Sequence, residues 1–277
     1  MRNGTAGKAL RAIVPPIAAL AITASAALAQ TGLAPQALPP PPLPGGEWRV
    51  SIAAGTMLTP DYPGSSGYRL APLVGPDISW RDDTLFLSVR DGLGATLLRS
   101  GGLSLGPVLR LRFGRDQDDN DALRGMGDIR PSGEGGLFLR YADEAWRGLL
   151  ELRQGFGGHS SLVADARLDR VLRLRHDLVL SAGPRLSWGG EDFADTYFGV
   201  SAGQAQRSGY ARFSARDYWG VGVAASATWL FAERWSATAF GELGRILGDA
   251  ADSPLVDRRG DPTQGVIGLA LAYRFLP

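Results

Sequence analysis

Three stretches of this chain change character at every second residue, and a side-chain period of two leaves little open to a polypeptide except extended strands. Over 103–113 the odd positions are Leu103, Leu105, Pro107, Leu109, Leu111 and Phe113, and Ser104, Gly106, Val108, Arg110 and Arg112 fall between them. Over 178–188, Leu178, Leu180, Ala182, Pro184, Leu186 and Trp188 alternate with Val179, Ser181, Gly183, Arg185 and Ser187. Over 265–275 one face carries Ile267, Leu269, Leu271, Tyr273 and Phe275, and the other is small apart from Val266 and Arg274. No comparable stretch has the period of an amphipathic helix, and 38 Gly with 18 Pro weigh against a helical bundle. About twelve alternating segments are predicted, at 48–57, 68–80, 84–91, 93–98, 103–113, 133–141, 146–154, 161–174, 178–188, 217–231, 235–245 and 264–275. Ten is the alternative count, because 93–98 is short and 161–174 loses its alternation after Arg167.

The connections alternate in length. Short turns fall at 81–83, 99–102, 142–145, 175–177 and 232–234, and longer connections at 58–67, 114–132, 155–160, 189–216 and 246–263. Only the connection near Asp91-Gly92 is short on the second side. Short turns at one end and long loops at the other describe an all-β, antiparallel, up-and-down transmembrane barrel, its turns in the periplasm and its loops outside. A soluble sandwich also alternates, with the apolar face inward. The tryptophans favour the membrane: Trp48, Trp80, Trp146, Trp188, Trp219, Trp229 and Trp235 all lie near segment ends. Trp219 and Trp229 share one face of one segment. At a tilt near 45° they stand roughly 23 Å apart along the barrel axis, close to the height of the apolar band between two aromatic girdles.

Lipid offers backbone groups no water, so a sheet within it closes on itself. Closure turns Arg49, Arg110, Arg112, Arg140, Arg153, Arg167, Arg185 and Arg274 toward the lumen, with Glu134, Glu151, Asp165 and Glu242. These are expected to pair across the interior as polar filler, or to line a path that selects solutes.

The chain starts with Arg2, Lys8 and Arg11, then an Ala-rich apolar run ending in Ala27-Leu28-Ala29. That is the pattern of a cleavable export signal over 1–29. Its removal takes 29 basic and 28 acidic residues to 26 and 28. Residues 30–47 hold Pro35, Pro39, Pro40, Pro41, Pro42 and Pro44, a linker expected to be extended and periplasmic. The barrel domain is expected over 48–277. With no cysteine there is no disulfide, thiolate metal site or thiol nucleophile. No long basic run points to nucleic acid.

Little in the chain suggests catalysis. His159 and Ser161, two residues apart, have the spacing of outer-membrane lipid hydrolases, with Glu151 or Asp165 as orienter. The glycines at 157 and 158 leave that loop unanchored, and no enzymatic role, cofactor or metal is expected. Asp116, Asp118, Asp119, Asp121 and Asp128 crowd one outer loop, but their spacing is not that of a calcium hand. A solvated acidic loop is expected.

Three loop motifs carry a resemblance. Pro60-Asp61-Tyr62-Pro63-Gly64-Ser65 with Tyr68-Arg69 follows the first segment. Tyr197-Phe198-Gly199-Val200 lies in the longest loop, and Asp249 to Val256, with Ser253-Pro254, in the last. Together with the terminal aromatics Tyr273 and Phe275 they resemble the MipA/OmpV family of outer-membrane proteins, from about Trp48 to Phe275. The resemblance implies a barrel among outer-membrane lipid and lipopolysaccharide. It also implies a scaffold holding a murein lytic transglycosylase and a penicillin-binding murein synthase, with porin-like members as the alternative. No catalytic residues come with it. Tyr273 and Phe275 match the aromatic terminus read by the outer-membrane insertion machinery. Gly64 and Gly199 are expected in turns of positive φ. Tyr62, Tyr68, Tyr197 and Phe198 are expected to fold loops over the mouth.

Overall fold

A computed structural model describes residues 47–276. The expected export signal, and all of the linker except Glu47, lie outside the described residues. Glu47 belongs to the wall: its carbonyl accepts from the Arg81 N–H and its carboxylate pairs with the Arg81 guanidinium at 2.6 Å.

Thirteen strand segments form one antiparallel sheet. They are β1 (Trp48–Pro60), β2 (Tyr68–Trp80), β3 (Leu85–Ser88), β4 (Gly92–Ala95), β5 (Leu98–Ser100), β6 (Leu103–Arg112), β7 (Ser132–Ala142), β8 (Trp146–Gly157), β9 (Leu162–Arg175), β10 (Leu178–Gly189), β11 (Tyr218–Ala232), β12 (Trp235–Leu247) and β13 (Thr263–Leu276). β1 pairs with β13, and β4 with β6 through Leu93–Leu109 and Gly94–Val108, so the sheet closes. β5 pairs with the same β6 through Leu98–Leu105. β4 and β5 are therefore two halves of one stave, and the barrel has twelve staves, the larger of the two expected counts. Among the described residues no helix is long and apolar enough to cross a membrane.

The prolines within the wall sit where a ladder is missing on one side, as the lost N–H requires. Pro107 faces the break between β4 and β5. The β9–β10 ladder goes from Ala182–Arg170 to Arg185–Arg167, passing over Gly183 and Pro184. Pro72 and Pro76 lie on the part of β2 that has no β3 partner, since β3 reaches only Asp77–Trp80.

Outward side chains are apolar, and aromatic rings rim both ends. At the short-turn end Trp48 stacks on Trp80 (6.2 Å between centroids), and Trp229, Phe231, Trp235, Tyr273 and Phe275 form a chain of ring contacts. Outward Arg170 lays its guanidinium over Trp146 at this rim, where a lipid-facing cation reaches the interface. At the long-loop end Trp188 meets Trp219 at 6.3 Å, and the Trp219 Nε1 donates to Asp217.

The long loops do not hang free. The loop after β10 holds two short helices, α1 (Glu191–Phe198) and α2 (Ala202–Ser208), and the last loop holds α3 (Pro254–Asp257). Seven or eight residues are too few to show a helical period in sequence. Together the loops build a dome over the mouth with its own core: Tyr62, Leu123, Tyr197, Phe198, Leu255 and Val256 are all buried. The Tyr62 hydroxyl donates to the Leu255 carbonyl (3.1 Å) and the Ser253 hydroxyl to the Phe198 carbonyl (2.6 Å), so the three motif loops are joined. Tyr68 stays on the outer wall and accepts from the Gly265 N–H. Gly64 has φ +91°, and a Cβ there would lie 2.5 Å from Val256. Gly199 departs from the expectation of positive φ: its φ is −70°. It is small for another reason, since a Cβ would meet the Asp195 carbonyl oxygen at 2.4 Å. The acidic loop is folded too: Asp116 caps the turn Gln117–Asp119, Asp119 pairs with Arg69, and Asp128 accepts from the Gln117 N–H.

Two predictions follow from wall and dome. Val223 faces outward at mid-band on β11, so Val223→Arg should cost about 2–4 kcal/mol and Ala224→Ser, facing inward, much less; denaturant unfolding from lipid vesicles measures both. Burial pushes the Tyr62 hydroxyl up to about 12, so the folded dome favours the neutral phenol. That contribution is complete below the ordinary tyrosine value of about 10 and is lost as pH rises from there through 12. Thermal melting should fall across this window, by on the order of 2–3 kcal/mol in stability, and Tyr62→Phe should flatten the fall.

Candidate functional site

The lumen is divided between two chemistries. β6 to β10, with the β3–β4 turn, supply charge. Arg153, 2% exposed, stands at the centre: its Nε donates to Glu134 at 3.0 Å, one terminal nitrogen to Asp165 at 2.5 Å, and the other to Glu151. Arg112 holds the other Glu134 oxygen at 2.5 Å and lies over the Phe193 ring. Arg110 grips Glu151 with two bonds of 2.7 Å and donates a third to the Arg90 carbonyl at 2.6 Å. Arg90 and Arg167 both bind Asp91, and Arg185 binds Asp169 at 2.8 Å. Asp77 lies 4.0 Å from Arg90. At this height six guanidinium groups (90, 110, 112, 153, 167, 185) face six carboxylates (77, 91, 134, 151, 165, 169). Guanidinium forks suit such two-point pairing, and every lumen cation is an arginine; the one lysine of the chain is Lys8.

The balance changes at the short-turn mouth. Arg49 and Arg140 share Asp83, at 2.7 and 3.5 Å. Arg81, Asp82 and Asp83 all have positive φ, of 44°, 52° and 65°, a turn that costs strain and swings Asp83 beneath the lumen. Arg140 also lies over Phe86 and Phe138. Arg274 is buried on β13 with its Nε unbonded among the described residues.

The other half, from β11 through β13 to β2, is small or apolar. Met57, Ala71, Phe240, Val266 and Ala270 pack together. Glu242 enters this half, 5% exposed, with no hydrogen bond to either carboxylate oxygen among the described residues.

Of the lumen residues expected from sequence, Arg110, Arg112, Arg140, Arg153, Arg167, Arg185, Glu134, Glu151 and Asp165 thus fall within one region, Arg49 and Arg274 at its mouth and Glu242 apart from it. Sequence reasoning missed Asp77, Arg90, Asp91, Asp83 and Asp169. Asp169 shares the parity of Asp165 and Arg167 on β9, a usable signal. Asp91 lies at the one short connection among the long loops, and there the hairpin turns into the lumen.

His159 is buried beneath α1, against Phe193 and Tyr197. Its Nδ1 accepts from the Ser161 N–H at 3.3 Å, which places the proton on Nε2, 3.1 Å from Glu134. Both ring nitrogens are engaged and the ring faces inward, so it has no free base to offer the Ser161 hydroxyl. Among the described residues no group of His, Asp and Glu is arranged to hold a metal. Tyr273 and Phe275 lie on the outer face, where Tyr273 meets Trp235.

Comparison with known proteins places this architecture. The MltA-interacting protein of Escherichia coli (strain K12) is 29% identical over 98 residues, 35% of this chain and 38% of that protein. The putative outer membrane protein YiaT of the same strain is 27% identical over 203 residues, 69% of this chain and 79% of that protein. Among solved structures, the NanC porin superposes with a TM-score of 0.47 at 8% identity, covering 82% of this chain and 100% of that one. The COG4313 outer membrane channel from Pseudomonas putida F1 superposes with a TM-score of 0.38 at 13% identity, covering 87% and 100%. The family described as MltA-interacting protein MipA matches residues 52–275, and with a closed twelve-stave wall under its three motif loops this outer-membrane chain belongs to that family.

Proposed function

We propose that this barrel is a non-enzymatic scaffold, which presents its short turns and residues 30–47 to murein-synthesising and murein-lytic enzymes in the periplasm. The observation that carries this reading is the dome: a mouth filled by its own apolar core, above a lumen crossed by ion pairs, suits an anchor better than a conduit. The name of the Escherichia coli relative supports a lytic transglycosylase as one partner; the penicillin-binding synthase is part of the same proposal. Surrounding lipid and lipopolysaccharide are the remaining partners, and Tyr273 with Phe275 serve as the insertion signal. A second reading, a small porin-like channel, is favoured by Glu242, an interior carboxylate without a hydrogen-bond partner among the described residues.

Photo-crosslinking residues placed in the turns should recover a murein synthase or transglycosylase from intact cells, and deletion of 30–47 should abolish recovery. Amine-directed reagents are unsuitable, because the chain has no lysine after Lys8. Recovery of neither enzyme overturns the scaffold. In planar bilayers the protein should be nearly silent. Arg153→Ala leaves three carboxylates without their shared cation, and should destabilise by about 3–5 kcal/mol and raise conductance. High conductance in the unaltered protein, shifted by Glu242→Gln, would establish the channel instead.

A further inference from the structure

The barrel wall has a window. β3 and β4 are four residues each, and their turn at Val89–Asp91 stops level with Asp77 on β2 and Arg110 on β6. Above that turn β2 continues from Pro76 to Tyr68 with β1 as its only ladder partner among the described residues. β6 continues to Arg112 with β7 alone. Two strands are missing between them, which leaves about three strand spacings, or roughly 14 Å, from backbone to backbone.

The frame is built, not frayed. Below, Arg110 donates to the Arg90 carbonyl, and Val89 sits so close on Gly75 that a Cβ there would meet it at 1.9 Å. Above, Arg69 pairs with Asp119 at 3.3 Å and Asn120 donates to Asp61 at 2.7 Å, tying the acidic loop across the gap. Pro72 and Pro76 take two N–H donors out of this stretch of β2, so it is poorly suited to accept an added strand.

The height of the window identifies what meets it. Trp80 marks the short-turn rim on β2, and an apolar band about 25 Å tall at some 2.3 Å per residue reaches roughly to Leu70. The opening therefore faces hydrocarbon in the outer half of the bilayer. Leu70 (72% exposed) and Leu111 (53%) stand on its two sides. Just inside, Ala71 and Leu73 join the apolar half of the lumen against Met57 and Phe240. We propose that this window is a lateral portal that seats an acyl chain of an outer-leaflet lipid against the Ala71–Leu73 face of β2. The inference stands apart from the scaffold reading, since it concerns the membrane side of the wall.

The chain has no cysteine, so single-cysteine variants report cleanly. Leu73→Cys and Ala71→Cys, each labelled with bimane, are refolded into phosphatidylcholine vesicles with or without brominated acyl chains. Val223→Cys gives the lipid-facing reference, and Ala224→Cys the lumen reference on β11, away from the window. Bromine quenching at 71 and 73 should approach that at 223 and exceed that at 224 several-fold. The two positions serve as mutual controls against a local packing defect, and heat-modified mobility checks that each variant has closed. Quenching at both positions as low as at 224 overturns the portal, whether side chains or a partner strand fill the gap.

Discussion

Every backbone amide between the two aromatic rims must be satisfied inside the wall, and most of this structure follows from that requirement. It forces closure, which two residue pairs between β4 and β6 achieve at the weakest point. It also decides where proline is tolerated. Pro107 and Pro184 each face a gap in one ladder, where a missing N–H interrupts no regular pairing. The same requirement makes the window unusual, since edges at that height must be framed and partly stripped of donors.

Closure brings a second obligation. Half of the wall residues are enclosed, and enclosed charge must be neutralised nearby. The mid-lumen network does this with matched numbers, by two-point bonds. The dome then removes the mouth from solvent with an apolar core rather than with charge. Arg115 stands out there: it is buried without an ion pair among the described residues, donates to the Tyr197 carbonyl at 2.8 Å, and is pushed down to about 10 by burial.

The wall was largely legible in the sequence because a period of two survives over ten or more residues, and membrane contact keeps one phase of it apolar. Even 93–98, weak alone, is real as the lower part of a broken stave. The tryptophans near segment ends marked the rims. What stayed hidden depends on distance along the chain. Tyr62 meets Leu255 from 193 residues away along the chain, so motif spacing could name the loops but not their common core. Parity could turn Glu242 inward but could not say that it lacks a hydrogen-bond partner among the described residues. Gly199 was read by its type, although its neighbour Asp195, not its φ, requires it to be small. Helices of seven and eight residues leave no periodic trace.

An interior whose cations are all arginine has one further consequence. A guanidinium keeps its proton at the ordinary pH of the outer envelope, whereas carboxylates can take one up. Acid can therefore unbalance the wall in one direction only, by erasing negative partners and leaving like charges to repel. Alkali reaches the dome through its buried phenol and through Arg115, whose burial loosens its hold on its proton. Floor and roof of the molecule thus yield at opposite ends of the pH scale.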